Sequence, residues 1–507
     1  MMTKKALSLI LAILMILPMA VACAETTGGE NTSAPVADTT APTGDATGAP
    51  EETELVSKTL PAGLRFDGET VTILCRDNTF VADEMFVDDY NGAMINDAVY
   101  SRNEKVKSLL GIELEAHKIA GTDNYAISNE LRNAASNGET YFDIAANSTY
   151  STIMYTGENI FVNLKDCEYL DLDAVYWSQG FNDNASIGDA QYLATGAIAL
   201  SLFRYMFVNF YNKPLLEAAN CENLYTVVDE KRWTLDYQIQ LSKDLYSDAD
   251  GSGTVTEGDT VGFATSTILY VDPYWSSCDI PIISKDADNL YQFDLDLDKL
   301  SGTIDKLITL YHETNAWVDN TSTDDGKQNA LGNLFSSGKV GTTCMRLCSV
   351  ETEQFISMDD EYGVIPVPKY DEAQENYYTY LHDQFTSLGI TSVLASDEER
   401  VQMLGAVLEA MALESYKTVV PAYFETALKG RYLEDSESWR MLDMIYENVR
   451  VDAGVLYTKV LDSIHQTPRD MVKNGRNTVA STTKKLSVKL EKQLLPGLLE
   501  DLLALAG

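Results

Sequence analysis

The sequence predicts an α/β fold on three observations. A strand–helix–strand pattern opens the folded body and then recurs, its helices stop at glycine, and 45% of the 507 residues are hydrophobic, enough for one large or two medium-sized cores. Thr70 to Leu74 alternates as a strand. Asn96 then reads as the cap of a helix carrying Val99, Val106, Leu109 and Leu110 on one face, ended by Gly111. Ile112, Leu114 and Ala116 alternate again, Leu131 to Ala135 reads as helix, Asn137-Gly138 as its stop, and Phe142 to Ala146 as a buried strand. Open α/β sheets bind ligands at the carboxyl ends of their strands, which selects the loop Asn147 to Tyr150.

Further along, Val364 to Pro368 holds two prolines and suits a crossing segment better than a central strand. Ser396 and Glu399 read as a capping box for a helix whose Leu404, Leu408, Met411 and Ser415 share a face. After Pro421 the chain reads as mainly helical to Leu495, where Pro496-Gly497 is expected to interrupt it.

The first sixty residues have a different character. Lys4 and Lys5 precede an apolar run from Ala6 to Met19, too short for a comfortable membrane span, and small residues lead to Cys23, which is the layout of a secretory signal over residues 1–22. Ala20-Val21-Ala22-Cys23 resembles the lipobox of bacterial lipoproteins, with Ala20 where lipoboxes prefer Leu. That resemblance implies a lipidated Cys23; the alternative is an ordinary cleavable signal with an incidental Cys. Residues 23–60 are Thr, Ala, Gly, Pro, Glu and Asp with almost no large apolar side chain, a composition that cannot offset the entropy cost of folding and is expected to form a flexible tether.

A formal charge of −40 repels nucleic acid and anionic membrane, so no nucleic-acid partner is expected and a neutral ligand is the simplest one. Beyond Cys23, the six cysteines show no Cys-x-x-Cys spacing, and free buried thiols are expected. Residues 248–259 match an EF-hand calcium loop at Asp248, Asp250, Ser252, Gly253, Thr254, Thr256 and Asp259. Alternate residues of such a turn point oxygens inward around a glycine at the sixth position. Asp259 stands where the bidentate Glu is usual, so a modest calcium affinity is expected; a solvated acidic turn is the alternative.

Several segments, in order, resemble the maltose-binding, family 1 type of extracellular solute-binding proteins of ABC transporters. They are Phe142-Asp143-Ile144 with Tyr150, Gly157 and Asn163-Leu164; Ala199 to Leu216 with its Tyr211-Asn212-Lys213; Trp233-Thr234-Leu235; Phe335 with Gly338 to Met345; and Tyr362-Gly363-Val364 with Pro366 and Pro368. The resemblance implies a periplasmic-binding-protein-like fold of two discontinuous α/β lobes with a ligand cleft between them. The expected first lobe is 61–200 with 367–422 and the second 201–366 with 423–507. It also implies a lipid-anchored monomer on the extracellular face of the membrane, which captures a mono- or oligosaccharide by lobe closure and hands it to an ABC permease, with no chemistry on the ligand.

Sugars need flat aromatic platforms beside carboxylates and amides. Tyr270 to Trp275 offers both, and Asp272-Pro273-Tyr274 resembles the acid-Pro-Tyr piece with which maltose-binding relatives touch sugar. Asp272, Tyr274 and Trp275 are therefore candidate ligand residues, with a core aromatic cluster as the alternative. Tyr150, Arg346 and Asp383 complete the candidates. The sequence has no His-Glu-x-x-His, Gly-x-Ser-x-Gly or phosphate-loop motif, which leaves a secreted polysaccharide-degrading enzyme or a surface adhesion protein as the remaining alternatives.

Overall fold

Two separate sheets organise the chain, and each takes its character from the connections between its strands. The structure, a computed structural model, describes residues 55–120, 125–319, 324–428 and 436–506; the expected signal 1–22, Cys23 and most of the tether lie outside them. The first sheet runs in the order Thr386–Ile390, Ile144–Ser148, Thr70–Asp77, Glu113–Ala120. Its last three strands are parallel, as strand–helix–strand connections require, and Thr386–Ile390 joins antiparallel. The crossover helices Met94–Leu110 and Ala126–Asn137 end at Gly111 and Gly138, both in the left-handed region at φ 66 and 69.

Two details of the first helix differ from expectation. It begins at Met94, so Asn96 lies inside it and donates to the Asp89 carbonyl at 2.8 Å instead of capping. Leu109 is 42% exposed, because the buried stripe is Val99, Val106 and Leu110.

The second sheet has the order Trp317–Asp319, Val261–Ser266, Val340–Arg346, Phe207–Asn212, Tyr362–Ile365. Tyr362–Ile365 is an edge strand and stops just before Pro366, a residue unable to donate to a ladder. The sequence assigned residues 367–379 to the first lobe. The structure packs them on the second: Leu235 donates its backbone N–H to the Lys369 carbonyl at 2.9 Å, Trp233 Nε1 donates to the Pro366 carbonyl at 2.9 Å, and Gln374 Nε2 donates to the Ser277 carbonyl at 2.7 Å.

The passage between the sheets is instead made by 195–206 and 381–386, which bridge at Met206 and Leu381. Glu84, 1% exposed, fastens both: it accepts the backbone N–H of Ser201 at 2.9 Å and the hydroxyl of Thr386. Lys58–Gly507 forms one compact unit around this junction.

Helix Glu398–Glu414 is capped by the Asp397 side chain, which accepts from the Arg400 N–H, and not by Ser396. Pro496-Gly497 does not interrupt the C-terminus. Pro496 falls in the first turn of helix Leu495–Ala506, directly after a π turn over Leu490–Leu494, where a wider turn tolerates the missing donor.

Candidate functional site

The carboxyl end of strand Ile144–Ser148 runs directly into the short helix Thr149–Thr152, which places Tyr150 at the carboxyl end of an inner strand of the first sheet. Its backbone N–H donates to the Asp383 carbonyl at 2.8 Å, so the binding loop and the crossing segment are tied together. The Tyr150 ring sits 6.2 Å from that of Tyr125, and the Lys459 ammonium stands 5.0 Å over it. Lys459 arrives with the C-terminal region, so this cation–π contact faces the sheet-one loop from another part of the chain.

Behind this aromatic pair lies a buried charged cluster. Asp272, 1% exposed, accepts from Arg469 Nε at 2.8 Å and from its Nη2, a bidentate fork. His465 Nε2 is 4.0 Å from the same carboxylate, and its Nδ1 shares a 2.8 Å hydrogen bond with the Thr458 hydroxyl. Arg346, the last residue of its strand, places Nη1 3.3 Å from His382 Nδ1 and its guanidinium 5.2 Å from the Tyr205 ring centroid. His382 Nε2 is in turn 3.6 Å from the Asp383 carboxylate. Burial first, then the positive charges of Arg346 and Arg469, hold the His382 imidazole well below its usual range. Burial followed by Arg469 does the same to His465. Both rings are neutral at pH 7.

The structure thus brings Tyr150, Asp272, Arg346 and Asp383 to one junction between the sheets. Tyr274 and Trp275 have a different role. Tyr274 is 1% exposed, within electrostatic reach of Tyr311, Cys344 and Cys278, and Trp275 spends its indole N–H on the His465 carbonyl at 2.7 Å. Neither offers a free face in this conformation, which corrects their expected place as platforms: the alternative, core packing, describes them. What Asp272-Pro273-Tyr274 contributes to the junction is its carboxylate.

Sequence reasoning did not single out Tyr125, Tyr380, Lys459, His465 or Arg469. Among the described residues the Tyr380 hydroxyl has no hydrogen-bond partner, and it lies within electrostatic reach of Asp272, Asp383 and Asp452. It lines a cavity of about 10 Å³ together with Asp383 and Asp452, room for roughly one water.

The loop 248–259 leads into strand Val261–Ser266 of the second sheet. Oxygens of Asp248, Asp250 and Asp259 lie within 4.8 Å of one another. Ligands about 2.4 Å from one calcium ion are separated by at most twice that distance, so the spacing fits. Asp248 accepts the backbone N–H groups of Gly251 at 2.7 Å and Gly253 at 2.9 Å, and Thr256 Oγ1 donates to Asp250 at 3.1 Å, which folds the turn inward.

No protein-family model and no curated protein matches the sequence. Solved structures do match in fold. An ABC substrate-binding protein of Listeria monocytogenes in complex with cycloalternan is 13% identical, with 85% of this chain and 99% of that chain covered and a TM-score of 0.50. A solute-binding protein of Thermotoga lettingae bound with α-D-tagatose is 14% identical over 84% and 100%, TM-score 0.53. The GacH receptor of Streptomyces glaucescens, solved unliganded and with acarbose, is 15% identical over 84% and 99%, TM-score 0.52. The chain has the fold of the periplasmic binding proteins, nearly the whole length of each of which it covers.

Proposed function

We propose that this protein is the extracellular substrate-binding subunit of an ABC importer, which captures a mono- or oligosaccharide between its two lobes and delivers it to the permease. The observation that carries this reading is the junction itself, where Tyr150 and Asp383 face Lys459, Arg469, Asp272 and Arg346 across the connection between two α/β bodies. Tyr125 and Tyr150 supply rings for a sugar's C–H face, and the charged groups supply donors and acceptors for its hydroxyls. That the fold neighbours hold cycloalternan, tagatose and acarbose supports the saccharide class. A ligand bridging both sides stabilises the closed arrangement, and no bond in it need be made or broken. We place the protein outside the cell, a monomer held to the membrane by a lipid on Cys23.

The test is a thermal-shift screen of the full mature chain over mono- and oligosaccharides. A ligand present at 100 times its Kd adds about 2.7 kcal/mol to stability, so a true ligand raises Tm clearly. Tyr150→Ala is expected to remove most of that rise. A panel without a single stabilising sugar would refute the saccharide reading.

We also propose that residues 248–259 bind calcium as a structural staple, with Asp248, Asp250, Ser252, Thr254, Thr256 and Asp259 as the ligating positions. Extracellular loops of this kind work at roughly 10⁻⁴ to 10⁻³ M. Calcium at ten times Kd is then expected to add about 1.4 kcal/mol, which chelator removes and which Asp248→Ala abolishes. Identical melting curves with calcium and with chelator would sink the proposal.

A further inference from the structure

The junction described above is flanked on one side by contacts that involve no ligand residue. The hairpin of strands Ile283–Lys285 and Tyr291–Phe293 precedes helix Leu297–His312, whose Tyr311 packs on Phe263 of the second sheet. It reaches segment 184–191, which belongs with the first sheet: Gln191 donates its N–H to Asn163 at 2.9 Å and Ala194 bridges Leu388. Three side chains of the hairpin region make the grip. Lys285 Nζ donates to the Ser186 carbonyl at 2.5 Å and to its hydroxyl at 3.1 Å, Asn289 Nδ2 donates to the Gly188 carbonyl at 3.1 Å, and the Tyr291 hydroxyl donates to the Asn184 carbonyl at 2.6 Å.

These bonds are directed and partly buried. Tyr291 is 3% exposed, and burial lowers the Lys285 ammonium to about 8. Asn289 sits at φ 61, a conformation uncommon in a residue other than glycine, which presents its amide to Gly188. The grip continues outward. The Tyr291 ring meets that of Tyr457 at 6.0 Å, and the Tyr457 hydroxyl shares a 3.4 Å hydrogen bond with Thr156 in the turn Ile153–Glu158, next to the Tyr150 helix. Helix Leu495–Ala506 then packs over both Ile153–Glu158 and Tyr291–Phe293, burying Leu495, Leu498 and Leu502. Gly157 lies so close beneath it that a Cβ there would stand 3.1 Å from the Asp501 Cβ.

We propose that the hairpin 283–293 and the C-terminal helix form a clasp that holds the two lobes together on this flank without ligand, so that the unliganded protein is predominantly closed. The inference rests on the two-lobed reading of the fold. A ligand then binds by waiting for the clasp to open, which limits association and leaves little further compaction for it to cause.

The experiment is small-angle scattering of the unliganded full chain, wild type against Lys285→Ala/Asn289→Ala/Tyr291→Phe. Both carry the same N-terminal segment, so a difference in radius of gyration reports the lobes. The variant is expected to be larger by about 1 Å or more against the roughly 22 Å of a compact body of some 450 residues. Equal radii in wild type and a cooperatively melting variant would overturn the clasp. If the triple variant loses its cooperative melt, Asn289→Gly removes the Gly188 bond while keeping the positive φ, and equal radii there overturn it likewise. The clasp residues are not the ligand residues, so the two proposals fail separately. Equal radii with a sugar-induced rise in Tm sink the clasp alone, whereas a larger variant with no stabilising sugar sinks the saccharide reading alone.

Discussion

Replacing Arg469 by Ala is expected to cost about 3 kcal/mol of stability, the lower part of the 3–5 kcal/mol range for breaking a buried ion pair, and to remove ligand binding with it. The cost comes from Asp272. At 1% exposure its carboxylate cannot recover water, and the bidentate fork from Arg469 is the partner that offsets its desolvation. Arg469 itself is 23% exposed at its side chain, so solvent screening trims the loss. Arg469→Lys keeps the charge but loses the planar fork, and is expected to recover only part of the stability. Urea unfolding of the three proteins reads this directly; a loss under 1 kcal/mol for Arg469→Ala would show that Asp272 finds other support.

That pair also marks where sequence reading stops. The parallel part of the first sheet was legible because its signals are local: alternation at Thr70 to Leu74 and glycines that stop the two crossover helices. The position of Tyr150 just past the buried strand Ile144–Ser148 was legible for a related reason, since the residues after a buried strand of an open sheet have few places to go. Arg469 and Lys459 carry no such signal. They lie in a run of short helices about 190 residues from Asp272 in sequence, and only the tertiary path of the C-terminus brings them to it.

Tyr274 and Trp275 fail in the opposite direction. An aromatic beside a carboxylate has the composition of a sugar platform whether it faces a cleft or a core, and composition does not say which side of the short helix Pro273–Ser277 is covered. The boundary at residue 366 fails because two prolines announce the end of a strand without saying that the chain stays on the same lobe for a dozen residues more.

The neutral histidines of the junction should each subtract stability in mild acid. For His382 and His465 the folded state disfavours the proton, whereas the unfolded chain takes it up near pH 6.5. Below that pH the unfolded state binds more protons, so stability falls as pH falls, by up to about 1.4 kcal/mol per pH unit for each ring. Asp452 works against this. Burial raises its carboxyl to about 6, so between there and its unfolded value near 3.8 the folded state holds the extra proton and gains stability as pH falls. Asp443, whose carboxyl burial also raises to about 6, works in the same direction as Asp452, so the histidine contribution is read from the difference between wild type and a histidine variant. His465→Gln removes one of the two rings, so its own stability profile below pH 6.5 is expected to be flatter than wild type, by up to about 1.4 kcal/mol per pH unit, whatever the variant's stability at pH 7. Urea unfolding at pH 6, 5 and 4 measures both slopes, and parallel profiles would mean that His465 titrates alike in the folded and unfolded chain.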